Sequence, residues 1–326
     1  MFYVLSFSGS HGAYANSRGL LNYADIVPID IFPTEDDGGS TGRLKAERDI
    51  LGVGEITGRL CALSQLEEAK LLNHRYVGGE NDGHTEGNLK VADCVQENGT
   101  ERAIKLLKDM YRIERGEIIP VSLERFVFCV ECEDGSIIEG EHNVDEADLR
   151  SRITKVYTRP NARANPKVLE YLEIADMNVF GPTSHYSSLG QILAVEGIPE
   201  AIRKSKARQV YVANLMTTKE TKNMNLQDHL ESLESMIGAR GIIDTLILND
   251  SELPREALEM YAAEGQFPID PYLSSETRSR VKIVKAKLLS DKIHKKSPGD
   301  KLSRSYLRHG YSKLARVLHD TLMGDI

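Results

Sequence analysis

The densest chemistry in this 326-residue chain lies in Thr34-Glu35-Asp36-Asp37-Gly38-Gly39-Ser40-Thr41-Gly42-Arg43-Leu44. Glycines allow a backbone to approach an anion closely, and a helix opening after them presents free N–H groups to phosphate. Gly38 and Gly39 supply that approach, while Ser40, Thr41 and Arg43 add hydroxyl and guanidinium donors. Asp36 and Asp37 cannot favour a phosphate directly; they suit a divalent cation or a ribose hydroxyl. The competing reading is a glycine-rich turn with an acidic cap. A second loop, Gly9-Ser10-His11-Gly12-Ala13-Tyr14-Ala15, also sits between a strand pattern and a helix pattern. It is not GxGxxG, and no Walker lysine follows any glycine run, which argues against a standard NTPase.

Three further polar groups open helices or close strands. They are Gly181-Pro182-Thr183-Ser184-His185-Tyr186-Ser187-Ser188, Asn214-Leu215-Met216-Thr217-Thr218 and His84-Thr85-Glu86-Gly87-Asn88. Each alone reads as capping and turn chemistry; several at one edge of a sheet would make a cleft. Gly52-Val53-Gly54 resembles the glycine loops but follows no strand and is set aside. Cys129 and Cys132 share the CxxC spacing without a second pair, and i and i+3 on a strand face opposite ways, so structural cysteines are expected. The nine histidines form no HxxxH or HExxH pattern, and no Gly-x-Ser-x-Gly elbow occurs, so neither a structural metal nor a hydrolase nucleophile is predicted.

Positioning these loops requires alternating strands and helices. Strands are predicted at Phe2–Ser8, Ile26–Phe32, Met177–Phe180, Gln209–Asn214 and Gly241–Leu248. Amphipathic stretches fall at 46–51, 60–72, 88–97, 101–111, 166–175 and 226–237, with a final helix over 304–323. That alternation predicts an α/β fold, a Rossmann-like and mostly parallel sheet with helices on both faces. Asp134-Gly135 between two β-prone arms predicts a hairpin inserted near residues 115–143. The whole chain, 1–326, is read as one domain.

Charge is unevenly spread. The net −8 conceals thirteen Lys/Arg against two Asp between Arg278 and Arg316, so the remainder carries −19. A basic block on an acidic body suits an anionic ligand or an acidic partner, or is simply a solvated face with a loop near 290–305. Nucleic acid is disfavoured, because the block has few aromatics and no recognised binding motif. No apolar run is long enough to span a bilayer, and the start lacks a signal-peptide pattern. A cytoplasmic protein with no membrane partner is expected.

The loop Asp36–Leu44 resembles the YvcK-like (gluconeogenesis factor) branch of the family shared with the CofD phospholactate transferases. So do Leu72–Tyr76, Gly83–Leu89, Gly140-Glu141-His142, the stretch from Ala175 to Ser188, Val210–Thr217 with Asp228-His229, and Arg308-His309 with Lys313-Leu314-Ala315. The chain departs from the usual family pattern at Ser8–Gly12, Gly54–Gly58, Thr183–Ser188 and Gly310, and so resembles a divergent member. The resemblance implies a Rossmann-like fold, a homo-oligomer and a nucleotide-type ligand, with Gly9, Gly12, Gly38, Gly39, Ser40, Thr41, Arg43, Asn88, Gly181, Thr183, Ser184 and Asn214 lining the cleft. Tyr261 and Arg308 match positions implicated in UDP-sugar binding. The function implied is a UDP-sugar-binding regulator of carbon metabolism and cell-wall precursor supply, a binding role rather than the family's transferase activity. The alternatives are a CofD-like transferase of a phospholactyl-type group, with Mg²⁺ on Asp36 and Asp37, and a basic-tailed scaffold. No resident cofactor is required by these motifs; Mg²⁺, NAD and a UDP-sugar are the candidates.

Overall fold

A computed structural model describes residues 1–147, 149, 151–294 and 305–326. The chain opens with β1 (Phe2–Phe7), α1 (Ser10–Leu20), β2 (Ile26–Phe32), α2 (Gly39–Arg48) and α3 (Gly54–Leu63). A 3₁₀ turn, Glu67–Asn73, leads to α4 (Glu86–Asn98), α5 (Thr100–Met110) and β3 (Glu117–Pro120). Next come β4 (Val127–Cys132), β5 (Ile137–Glu139), α6 (Glu141–Glu146), β6 (Ile153–Arg159), α7 (Pro166–Ile174) and β7 (Met177–Phe180). A π-helical turn, His185–Gly190, runs into α8 (Gln191–Leu193), followed by α9 (Ile198–Lys204), β8 (Arg208–Val212) and α10 (Leu226–Ile237). The chain ends with β9 (Thr245–Asn249), α11 (Arg255–Ala263), α12 (Ser275–Arg280), β10 (Lys282–Ala286) and α13 (Tyr311–Met323).

Seven strands form one parallel sheet in the order β10-β9-β8-β7-β1-β2-β3. Alternation along the strands explains how both faces are covered. Leu5 and Phe7 of β1, Phe180 of β7 and Tyr211 of β8 pack with α7, α9 and α10. Val4, Val179, Val210 and Val212 point the other way, onto Leu20 of α1 and Leu314 and Leu318 of α13. A third cluster, around Phe32, Leu44, Ile56 and Leu60, places α2 to α5 beside β2 and β3. Each such large apolar side chain contributes about 1.5–3 kcal/mol on burial. The order reverses around β1, which lies between β2 and β7, and a crevice at such a reversal is where open parallel sheets bind ligands.

The predicted hairpin exists, and Gly135, at φ 82°, turns between β4 and β5. It is larger than expected, because β6 pairs antiparallel with β4 and completes a separate three-stranded sheet. β3, inside the range assigned to the hairpin, belongs instead to the main sheet. Other boundaries shift for local reasons. The strand expected from Gly241 starts at Thr245, with Asp244 holding the Gln209 amide. The helix expected over 46–51 is the end of α2, which begins at Gly39 and stops where Asp49 turns left-handed, at φ 56°. The stretch 60–72 divides at Ser64, whose hydroxyl bonds Tyr111 O. The last helix starts at Tyr311, so Arg308 precedes it, and residues 295–304 of the expected loop lie outside the described residues. The block 278–316 contributes the edge strand β10, on which Lys282 and Lys285 are exposed. All four cysteines are free. Among the described residues no helix is long and apolar enough to cross a membrane.

Candidate functional site

The loops after β1, β2, β7 and β8 meet at the carboxyl edge of the sheet. Gly9 N, at the start of α1, donates to Thr183 Oγ1 (2.9 Å), and Asn214 Nδ2 donates to Thr183 O (2.7 Å). One threonine thus ties the loops of β1, β7 and β8. Asn16 of α1 adds a second tie, to Gly181 O (2.8 Å). Gly12 falls inside α1, against the Pro182 carbonyl, and Ser184 is the residue before the π-helical turn.

On the β2 side, Gly38 caps α2 with extended backbone and no side-chain bond, and Gly38 N donates to Asp36 Oδ1 (3.1 Å). Gly39 has φ 48°, a left-handed value that glycine adopts without cost. Thr41 bonds the Asp36 carboxylate, and Gly54 lies so close that a Cβ there would be 2.6 Å from Thr41 Oγ1. Ser40 turns away from these groups. It accepts Asn88 Nδ2 (3.0 Å), and its Oγ lies 2.9 Å from Nδ1 of His84, whose pKa is lowered by burial and by Arg43. Arg43 itself donates to Asp82 O (2.7 Å).

Carboxylates crowd this cleft. Asp36 is pushed up to about 6 by burial and by Glu55. Glu141, at the start of α6, is raised by burial and then by Asp36, Asp145 and Asp37. Asp37 Oδ1 accepts His142 N (2.7 Å), which draws α6 down onto the loop of β2. Ser187 Oγ donates to Asp145 (3.1 Å) from the other side. Glu220 accepts Tyr186 N (3.0 Å) and Ser187 N (2.9 Å), and burial with Asp145 pushes it up to about 7. The counterweight is Arg59, wholly buried over the Phe32 ring, which donates to Glu55 and to Ser8 O. Among the described residues no three His, Cys, Asp or Glu side chains are grouped to hold a metal.

Tyr261 and Arg308 stand elsewhere along the edge. Tyr261 is buried with Met216, Leu289 and Leu307, and its hydroxyl accepts Leu307 N (3.1 Å). Arg308 lies in an extended segment, where Ser290 N donates to Arg308 O (2.8 Å) and Gly310 N to Leu288 O (2.7 Å). Its charge acts on both Tyr261 and His294.

A family model described as 2-phospho-L-lactate transferase CofD matches residues 4–289. The chain belongs to the CofD/YvcK family. It is 34% identical to the gluconeogenesis factor of Halalkalibacterium halodurans over 272 residues, covering 82% of this chain and 83% of that one. It is 30% identical to the gluconeogenesis factor of Bacillus subtilis over 328 residues, covering 98% of each. The crystal structure of a UPF0052 family member from Bacillus halodurans matches with a TM-score of 0.86 at 30% identity, covering 97% of this chain and 99% of that one.

This CofD/YvcK member groups its sequence-read residues in three places. Gly9, Gly181, Thr183 and Asn214 meet over β1 and β7; Asp36, Asp37, Gly38, Gly39 and Thr41 gather after β2; Ser40, Arg43 and Asn88 tie α2 to the residues around α4. Sequence reasoning missed Glu55, Arg59, Asp145 and Glu220. It also set aside Gly54, whose contact with Asp36 and Thr41 needs no preceding strand. Glu141 was signalled only through the Gly140-Glu141-His142 stretch.

Proposed function

We propose that the crevice beside β1 binds a nucleotide-type ligand of the UDP-sugar class, and that the protein acts by binding it, as a regulator of carbon metabolism and cell-wall precursor supply. The observation that carries this reading is the pair of helices that open after Gly9 and Gly38, in the loops of β1 and β2 beside the reversal of the sheet, with N-cap residues that have no side chain to occupy their first turns. Helix N-termini at such a point favour phosphate. The gluconeogenesis factors among its relatives support the regulatory role. Calorimetry with UDP-glucose and UDP-N-acetylglucosamine tests it. The wild type should bind, and Gly39→Val should weaken binding about tenfold or more. A β-branched residue at φ 48° forces the loop to move. Wild-type protein that binds neither ligand refutes the proposal.

One observation favours a second reading, a transferase of a nucleotide-activated phosphoester. Asp37 Oδ1 accepts His142 N, and Asp36 beside it accepts Gly38 N and the Thr41 hydroxyl, so two carboxylates stand next to each other at the start of α2. Mg²⁺ is commonly held by one or two carboxylates together with substrate phosphates, so this pair fits an ion that arrives with its ligand. Such an ion would neutralise phosphate charge, while the helix starts would orient the ligand. Turnover with a deazaflavin acceptor that needs Mg²⁺ and vanishes in Asp37→Asn would establish this reading in place of the first.

A further inference from the structure

Phe267 is 52% exposed, although Phe32, Phe128 and Phe180 are wholly buried. Its backbone is fixed from both directions by one residue of the β8 loop: Thr217 N donates to Phe267 O (2.7 Å), and Phe267 N donates to Thr217 Oγ1 (3.0 Å). Met216 and Pro268 pair antiparallel, and Ile269 N reaches Leu215 O (3.4 Å), so residues 267–269 are zipped onto residues 215–217. The same loop begins at Asn214, which holds Thr183, which holds Gly9. An exposed apolar side chain is therefore carried on backbone that is fixed to the loop running on from Asn214. Thr217 lies three residues beyond Asn214, a reach of at most about 10 Å.

The other large exposed aromatics are placed differently. Tyr14 and Tyr311 pack edge to face, with ring centroids 5.7 Å apart between α1 and α13. Tyr272 hangs over the first turn of α10, where its carbonyl accepts Gln227 N.

We infer that Phe267 is the platform on which the base of a bound nucleotide stacks. The inference rests on the nucleotide reading of the crevice and names how that ligand's base is held. Every base has a π-face, and an aromatic side chain without a hydroxyl stacks on it whatever the hydrogen-bonding edge. Phosphate would then be read by backbone N–H groups at one end and the base by a ring at the other. Such a platform supplies affinity with little discrimination among bases.

The chain contains no tryptophan, so Phe267→Trp creates a single fluorescent reporter at the platform. UDP-glucose should quench or shift its emission, and inorganic pyrophosphate should not. By calorimetry, Phe267→Ala and Phe267→Leu should each weaken UDP-glucose binding about tenfold, as for loss of one stacked base, and leave pyrophosphate affinity unchanged. Unchanged pyrophosphate affinity also shows that the variants are folded. If wild type binds UDP-glucose and both variants bind it equally well, the platform is refuted while the nucleotide reading stands. If wild type does not bind UDP-glucose but GDP or NAD alters the tryptophan emission, the platform stands and the UDP-sugar reading falls. Emission indifferent to all three nucleotides overturns the inference.

Discussion

The two ends of the carboxyl edge are built on opposite principles. Around β1, β2 and β7 the groups are buried, acidic and short-tethered: Asp36, Glu141 and Glu220 sit among helix starts, and Arg59 is the buried cation beside them. Around β8 to β10 the groups are aromatic and basic, and long connections bring them in. Tyr261 comes from α11, Phe267 from the segment after it, and Arg308 from the approach to α13. The first end is fixed by the fold whether or not a ligand is present. The second is attached to the fold through backbone ladders, with Phe267 exposed, Arg308 half-buried and Tyr261 buried against Leu307. On these placements the acidic end is expected to govern stability and its dependence on pH, and the basic end to add to the affinity that the helix starts provide.

Breaking the acidic end should have the largest effect. Arg59→Met leaves Glu55 facing Asp36 without its cation and frees the Ser8 carbonyl at the tip of β1. Removing one partner of a buried ion pair costs about 3–5 kcal/mol, so chemical denaturation should show a loss of that order. A loss below about 1 kcal/mol would mean that the end does not depend on its buried cation.

At the basic end, Arg308→Ala should cost roughly 1.5–3 kcal/mol of UDP-sugar affinity, as for a charge-assisted hydrogen bond. Stability should fall by much less than in Arg59→Met, because Arg308 is only half-buried. Calorimetry and denaturation on the same protein separate the two quantities. A variant that binds as tightly as wild type would remove Arg308 from the ligand's surroundings.

The smallest effect sharpens the comparison through pH. Glu220, pushed up to about 7 from an ordinary 4.5, holds its proton more tightly folded than unfolded. The folded state therefore binds more protons between those values, and the cost of ionising Glu220 is complete above about pH 7. Glu220→Gln removes that cost, although it weakens one of the bonds to Tyr186 N and Ser187 N. Its melting temperature relative to wild type should rise by a few degrees between pH 5 and pH 8. A constant difference across that range would show that Glu220 ionises freely.

Much of the scaffold was legible because burial leaves a pattern. Ile26–Phe32 and Met177–Phe180 are apolar runs buried on both faces, and Leu226–Ile237 has a clean helical stripe; all three begin and end where the sequence says. β10 was missed because Lys282 and Lys285 interrupt its apolar run, as befits an edge, and β3 because it is only four residues long. In the site, glycines and hydroxyls announced the loops. Glu220 and Asp145 carry no such mark, since a glutamate or aspartate looks the same in sequence whether solvated or enclosed. Their role arises only when α6 and the loop after β8 are folded over the same cleft. Arg308 was expected on a helix because the amphipathic pattern runs upstream, but the ladder between 288–290 and 308–310 holds it extended.

The lysines of β10 have a consequence for how copies of this protein can meet. An outermost strand offers unpaired backbone groups to any other strand, and two copies related by a twofold axis could in principle continue one sheet into the next. With Ile283 and Val284 at the centre of such a seam, Lys282 of each copy would face Lys285 of the other, and like charges directly opposed repel. The opposite rim offers only the four residues of β3, ending in Pro120, which has no amide hydrogen to give. Lys282 and Lys285 thus disfavour continuation of the sheet across β10, and the short β3 with its Pro120 disfavours it at the other rim.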